Sequence, residues 1–87
     1  MKRQRIELNG IVQGIGFRPF VFNLALKNGL NGWVRNDAKG VTIEVEGPAA
    51  RLLLFHESLK NQKPQAAFYD QYIVTDLALT GEPGFKI

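Results

Sequence analysis

The sequence has no cysteine and a single histidine, His56. Disulfides, thiolate nucleophiles and thiolate-held zinc are therefore excluded, and one histidine alone can build neither a histidine metal cluster nor a catalytic triad. No run of about 18 apolar residues is present, and the opening Met-Lys-Arg-Gln-Arg has no apolar stretch behind it. Neither a spanning helix nor a signal peptide is expected, and a cytoplasmic protein with no membrane partner follows as an expectation. Repeats, linkers and low-complexity stretches are also missing. At 87 residues the chain has room for one core, so one domain over residues 1–87 is expected, monomeric in isolation.

What is present is the balance of a folded protein, with 45% hydrophobic and 22% charged residues. The net charge of +3 suits an anionic partner. Three of the eleven basic residues, Lys2, Arg3 and Arg5, sit at the N-terminus and the rest are scattered, which is weak support for nucleic acid.

Alternation from Arg3 to Asn9 sets Ile6 and Leu8 on one side of a strand. Phe17, Phe20, Val21 and Leu24 then follow helical spacing, and Pro19 and Gly29 bound a helix over about Pro19 to Asn28. A hairpin follows, Asn31 to Asn36 and Val41 to Glu46, turning through Asp37-Ala38-Lys39-Gly40. Gly47-Pro48 opens a second helix with Leu52, Phe55 and Leu59 as its apolar stripe. Ala67 to Leu79 reads as a long strand, and Thr80 to Gly84 turns the chain into a short Phe85-Lys86-Ile87 strand. The order β-α-β-β-α-β fits an α+β, ferredoxin-like sandwich: an antiparallel sheet with both helices on one face. Thr42, Glu44 and Glu46 are expected on its open face. Trp33, Phe17, Phe20, Phe22 and Phe55 are assigned to packing, and His56 to an exposed helix position without a role.

The segment Gly10-Ile-Val-Gln-Gly-Ile-Gly-Phe-Arg18 joins the first strand to the first helix. Its three glycines let backbone N–H groups turn inward, and the helix end adds free donors and a partial positive charge, a combination that suits an oxyanion or phosphate. Arg18 would close such a cradle with a charged, bidentate fork. Read alone, the same residues also suit a tight strand-to-helix turn with Arg18 in solvent. The loop is not a Walker motif, because no Gly-Lys-Ser/Thr follows, and proline stands at position 19 where a dinucleotide fingerprint has its third glycine.

Gly10-x-Val12-Gln13-Gly14-x-Gly16-Phe17-Arg18, then Gly32-Trp33-Val34-Arg35-Asn36, Gly40-Val41 and Glu46-Gly47-Pro48, resemble the acylphosphatase family over nearly the whole chain. Arg18-Pro19-Phe20 and Asn36-Asp37 resemble most the N-terminal acylphosphatase domain of the much longer hydrogenase maturation carbamoyltransferases. The resemblance implies hydrolysis of acyl phosphates to carboxylate and inorganic phosphate. It implies Arg18 as the phosphate-binding catalytic arginine and Asn36 as the residue orienting the attacking water. It also implies a phosphate cradle of backbone amides from Gln13, Gly14, Ile15, Gly16, Phe17 and Arg18. No cofactor or metal is implied. A domain of a larger maturation protein acting on carbamoyl phosphate is the alternative. A non-catalytic phosphate- or RNA-binding module is a further one, weakened by the Thr42, Glu44 and Glu46 face, which lacks the aromatics of an RNA-recognition sheet.

Overall fold

The computed structural model describes residues 1–87, and its elements run β1 (Lys2–Ile11), α1 (Phe17–Lys27), β2 (Asn31–Asn36), β3 (Val41–Gly47), α2 (Ala49–Asn61), β4 (Phe68–Leu77) and β5 (Phe85–Lys86). The strands form one sheet in the order β4-β1-β3-β2-β5. No helix is long and apolar enough to cross a membrane.

Alternation decides which side chains go inward. Ile6 and Leu8 of β1, Val34 of β2, and Val41, Ile43 and Val45 of β3 are buried beneath Val21, Leu24 and Ala25 of α1 and Leu52, Phe55 and Leu59 of α2. Both helices thus cover one face, as the α+β reading requires. Fully burying one such side chain, Phe55 for example, contributes about 1.5 to 3 kcal/mol. The first helix starts two residues before the expected Pro19 because buried Phe17 is its first residue. Proline in the first turn still costs no hydrogen bond there.

The expected antiparallel sheet holds for β1 to β4, whereas β5 lies parallel to β2 at the far edge. To reach that edge from β4, the chain between Leu77 and Phe85 must cross the face away from the helices. Glu46 holds it there: its carboxylate accepts from the Thr80 N–H at 2.9 Å and the Gly81 N–H at 3.0 Å. Phe85 then sinks beside Phe22, with ring centroids 6.1 Å apart, and the Gly32 N–H donates to the Gly84 carbonyl at 2.9 Å.

That crossing changes the expected open face. Glu44 and Glu46 are 8% and 3% exposed, sealed with Arg3 at 6%. Arg3 lies 2.8 Å from the Glu44 carboxylate and 3.2 Å from that of Glu46, and Arg5 adds a bond to Glu44 at 3.0 Å. Buried charges persist only when paired and hydrogen-bonded in this way. Trp33 remains partly exposed on this face, with the Arg35 guanidinium 4.7 Å over its ring.

His56 also departs from expectation, being half-buried between α2, β4 and β1. Its Nδ1 meets the Tyr72 hydroxyl at 2.6 Å and its Nε2 the Gln4 side-chain oxygen at 2.8 Å. The Gln4 carbonyl can only accept, so Nε2 carries the proton and Nδ1 accepts from tyrosine. Burial and, secondarily, the nearby Lys60 charge push its pKa down.

The amides of Thr80 and Gly81, together with Arg3, hold the Glu46 carboxyl below its usual value of 4.5. A depressed carboxyl stabilises the fold above its unfolded pKa, and that contribution fades as pH falls from there towards the folded value. Glu46→Gln is therefore expected to lower the urea midpoint at pH 7 and to flatten the loss of stability below about pH 4.5. Circular dichroism melts across pH 3 to 7 on both proteins check this; parallel acid limbs would contradict it.

Candidate functional site

The loop after β1 is shaped by its two anchored ends. Val12 and Phe17 are 1% and 2% exposed, so the residues between them must bow outward from the core. Gly14 and Gly16 accomplish the bow with φ of 72° and 74°. A Cβ there would meet nothing within 4 Å, so the requirement is conformational rather than spatial. A residue with a side chain would lose roughly 1 to 2 kcal/mol in this left-handed region. Gly16 is also the residue before α1; no side chain caps the helix, and no acidic residue lies in its first turn. The first N–H groups of α1 and their partial positive charge are left to the loop.

The sheet brings the second half of the site alongside. Asn36, the last residue of β2, stands opposite Val41, and Val41 stands opposite Leu8 of β1. The row Leu8, Val41, Asn36 puts the end of β2 next to the point where β1 gives way to the loop. Gly40 allows the close approach: a Cβ on it would lie 2.0 Å from the Leu8 carbonyl oxygen.

Between loop and strand end lies a depression of about 240 Å³ walled by Val12, Gln13, Gly14, Gly16, Phe17, Arg18, Pro19 and Asn36. Arg18 is the only charged residue on that wall. All ion pairs of the protein use Arg3 or Arg5, so the Arg18 guanidinium is uncommitted. Of the residues expected to form a phosphate site, Gln13, Gly14, Gly16, Phe17, Arg18 and Asn36 border the depression together. Ile15 belongs to the same loop but does not border it; its side chain packs against the core.

Two features of the turn after Asn36 were not legible as parts of the site. Asp37 accepts from the Lys39 N–H at 2.8 Å and the Gly40 N–H at 2.9 Å, and from the Thr42 hydroxyl. The Thr42 bond, followed by the Lys39 amide, holds its carboxyl below the usual aspartate range. Its charge is absorbed by its own turn. The Gln13 carboxamide crosses from the loop and donates to the carbonyls of Asp37 at 3.0 Å and Gly40 at 2.8 Å. Spacing along the chain carries no signal for contacts between residues so far apart.

The wall supplies amide donors, a guanidinium and the two carboxamides of Gln13 and Asn36, and no imidazole, carboxylate or thiol. Such a set can gather an oxyanion and hold a water molecule, but it cannot itself exchange protons near neutral pH. His56 is committed to Tyr72 and Gln4 and stays outside this site.

The acylphosphatase family model matches residues 4–87. Carbamoyltransferase HypF2 of Cupriavidus necator is 52% identical over 69 residues, which are 79% of this chain and 9% of that protein. The acylphosphatase of Bacillus subtilis is 41% identical over 88 residues, covering 100% of this chain and 97% of its own. A crystal structure of acylphosphatase from that organism superimposes with a TM-score of 0.93. Full-length HypF in a phosphate- and nucleotide-bound crystal form superimposes with a TM-score of 0.95 at 39% identity, over 98% of this chain and 11% of that one. The chain thus spans about a tenth of the carbamoyltransferases it matches and nearly all of the acylphosphatase.

Proposed function

The chain belongs to the acylphosphatase family, and from that premise we propose that it hydrolyses acyl phosphates in the depression between the Gln13–Arg18 loop and Asn36. The observation that carries the reading is that Arg18 and Asn36, distant in sequence and otherwise uncommitted, border one small depression with the glycine loop.

The chemistry suits so spare a wall. An acyl phosphate is a mixed anhydride whose leaving group is a carboxylate, a stable anion above about pH 4, so no general acid is needed to expel it. What remains is to neutralise the phosphoryl oxygens and to hold a water in line behind phosphorus. The loop amides and the Arg18 fork take the oxygens. The Asn36 carboxamide accepts one proton of the water in a hydrogen bond and so aims its lone pair at phosphorus. As the new P–O bond forms, the bond to the acyl oxygen breaks, and its electron pair leaves with the carboxylate. The proton of the water passes to a phosphoryl oxygen of the substrate itself.

A second reading rests on the likeness to carbamoyltransferases, which over the whole chain reaches 44% identity, much as for the acylphosphatase at 41%. In it the same depression takes carbamoyl phosphate, whose phosphoryl end is the same and whose leaving group is carbamate. The cradle reads phosphate and is indifferent to the rest. Turnover of carbamoyl phosphate at or above that of an aromatic acyl phosphate favours this reading; a strong preference for the aromatic substrate removes it.

Arg18→Ala and Asn36→Ala are each expected to cost about two to three orders of magnitude in kcat/KM for an acyl phosphate, as for loss of one oxyanion donor. Circular dichroism spectra should be unchanged, because both side chains lie outside the core. Full activity in both folded variants overturns the site.

A further inference from the structure

The ladders bring the end of β2 beside the loop, but they bond no loop residue to Asn36. Asn36 occupies the last row of the β2–β3 ladder, the β1–β3 ladder ends at Leu8 and Val41, and the chain from Asp37 to Gly40 is a turn beyond both ladders. Among all hydrogen bonds of the protein, only the two from the Gln13 side chain join residues 12–16 to residues 36–40. Both acceptors are backbone carbonyls, so the nitrogen of the carboxamide faces them and spends one N–H on each. The Asp37 carbonyl belongs to the residue directly after Asn36. The Gly40 carbonyl also accepts from the Asp37 N–H at 2.9 Å, so Gln13 grips the two ends of the turn at once.

We propose that the Gln13 side chain is a positioning residue for hydrolysis: it clamps the 37–40 turn to the phosphate loop and thereby fixes Asn36, and the water it aims, relative to the cradle. The inference rests on the reading of Asn36 given above. The backbone amide of Gln13 belongs to the cradle and is retained in any substitution, so the two roles of this residue separate cleanly. Loss of the side chain leaves the amides and Arg18 to hold phosphate while freeing the water-bearing residue to drift. A misplacement of about 1 Å is enough to cost on the order of a hundredfold in rate.

Gln13→Met keeps the length of the side chain and removes both donors. It is expected to lower kcat for an acyl phosphate by about ten- to a hundredfold, with KM and the inhibition constant for inorganic phosphate within about twofold of wild type. Introduced into Asn36→Ala, the same substitution should have no further effect on kcat, because the residue it positions is already gone. Unchanged kcat in Gln13→Met, a matching rise in the inhibition constant for phosphate, or a loss that multiplies with that of Asn36→Ala would each overturn the proposal alone. Full turnover by Asn36→Ala itself would instead overturn the reading on which it rests.

Discussion

The site depends on one row of the sheet. Leu8, Val41 and Asn36 lie side by side across β1, β3 and β2, and that register decides that the second strand ends where the glycine loop begins. Side chains alternate along a strand, so a slip of one residue would turn Val34 out of the core and Asn36 away from the loop together. The buried Val34, Val41, Ile43 and Val45 hold the register against such a slip. Packing energy and site geometry are in this sense the same constraint, and the apolar pattern that folds the hairpin also delivers the asparagine.

Around that row the protein concentrates its electrostatics in two separate places. Arg3, Arg5, Glu44 and Glu46 are consumed in a sealed cluster that ties down the chain crossing to β5. Arg18 is left without an ion partner at the mouth of a helix that carries no acidic residue in its first turn. A permanent positive charge and a helix N-terminus on one small wall favour a phosphate dianion over water. The wall lacks a proton-transferring side chain, which fits a substrate whose leaving group departs as an anion.

Much of this was legible from the chain. Alternation located β1 and β3, helical spacing located Leu52, Phe55 and Leu59, and Gly14, Gly16 and Pro19 marked the strand-to-helix turn. The residues that misled are those whose environment comes from distant partners. Glu44 and Glu46 read as solvent-facing until Arg3 and the Thr80–Gly81 backbone cover them, and His56 until Tyr72 and Gln4 take both its nitrogens. The parallel pairing of β5 was hidden for the same reason, since a strand of two residues has no period of its own. Within the site, the resemblance singled out Arg18 and Asn36, but the Gln13 side chain takes its partners from a turn 24 and 27 residues further along the chain, beyond the reach of any local pattern.

The central claim is that the loop and Arg18 hold the phosphoryl group while Asn36 holds the water behind it. A crystal structure with orthovanadate, which adopts the five-coordinate geometry of the transferring phosphoryl group, tests this most directly. The account predicts equatorial oxygens within hydrogen-bond distance of the loop amides and the Arg18 guanidinium, and one apical oxygen on the Asn36 carboxamide. Vanadate bound elsewhere, or bound in the loop with Asn36 turned away from the apical oxygen, would contradict it.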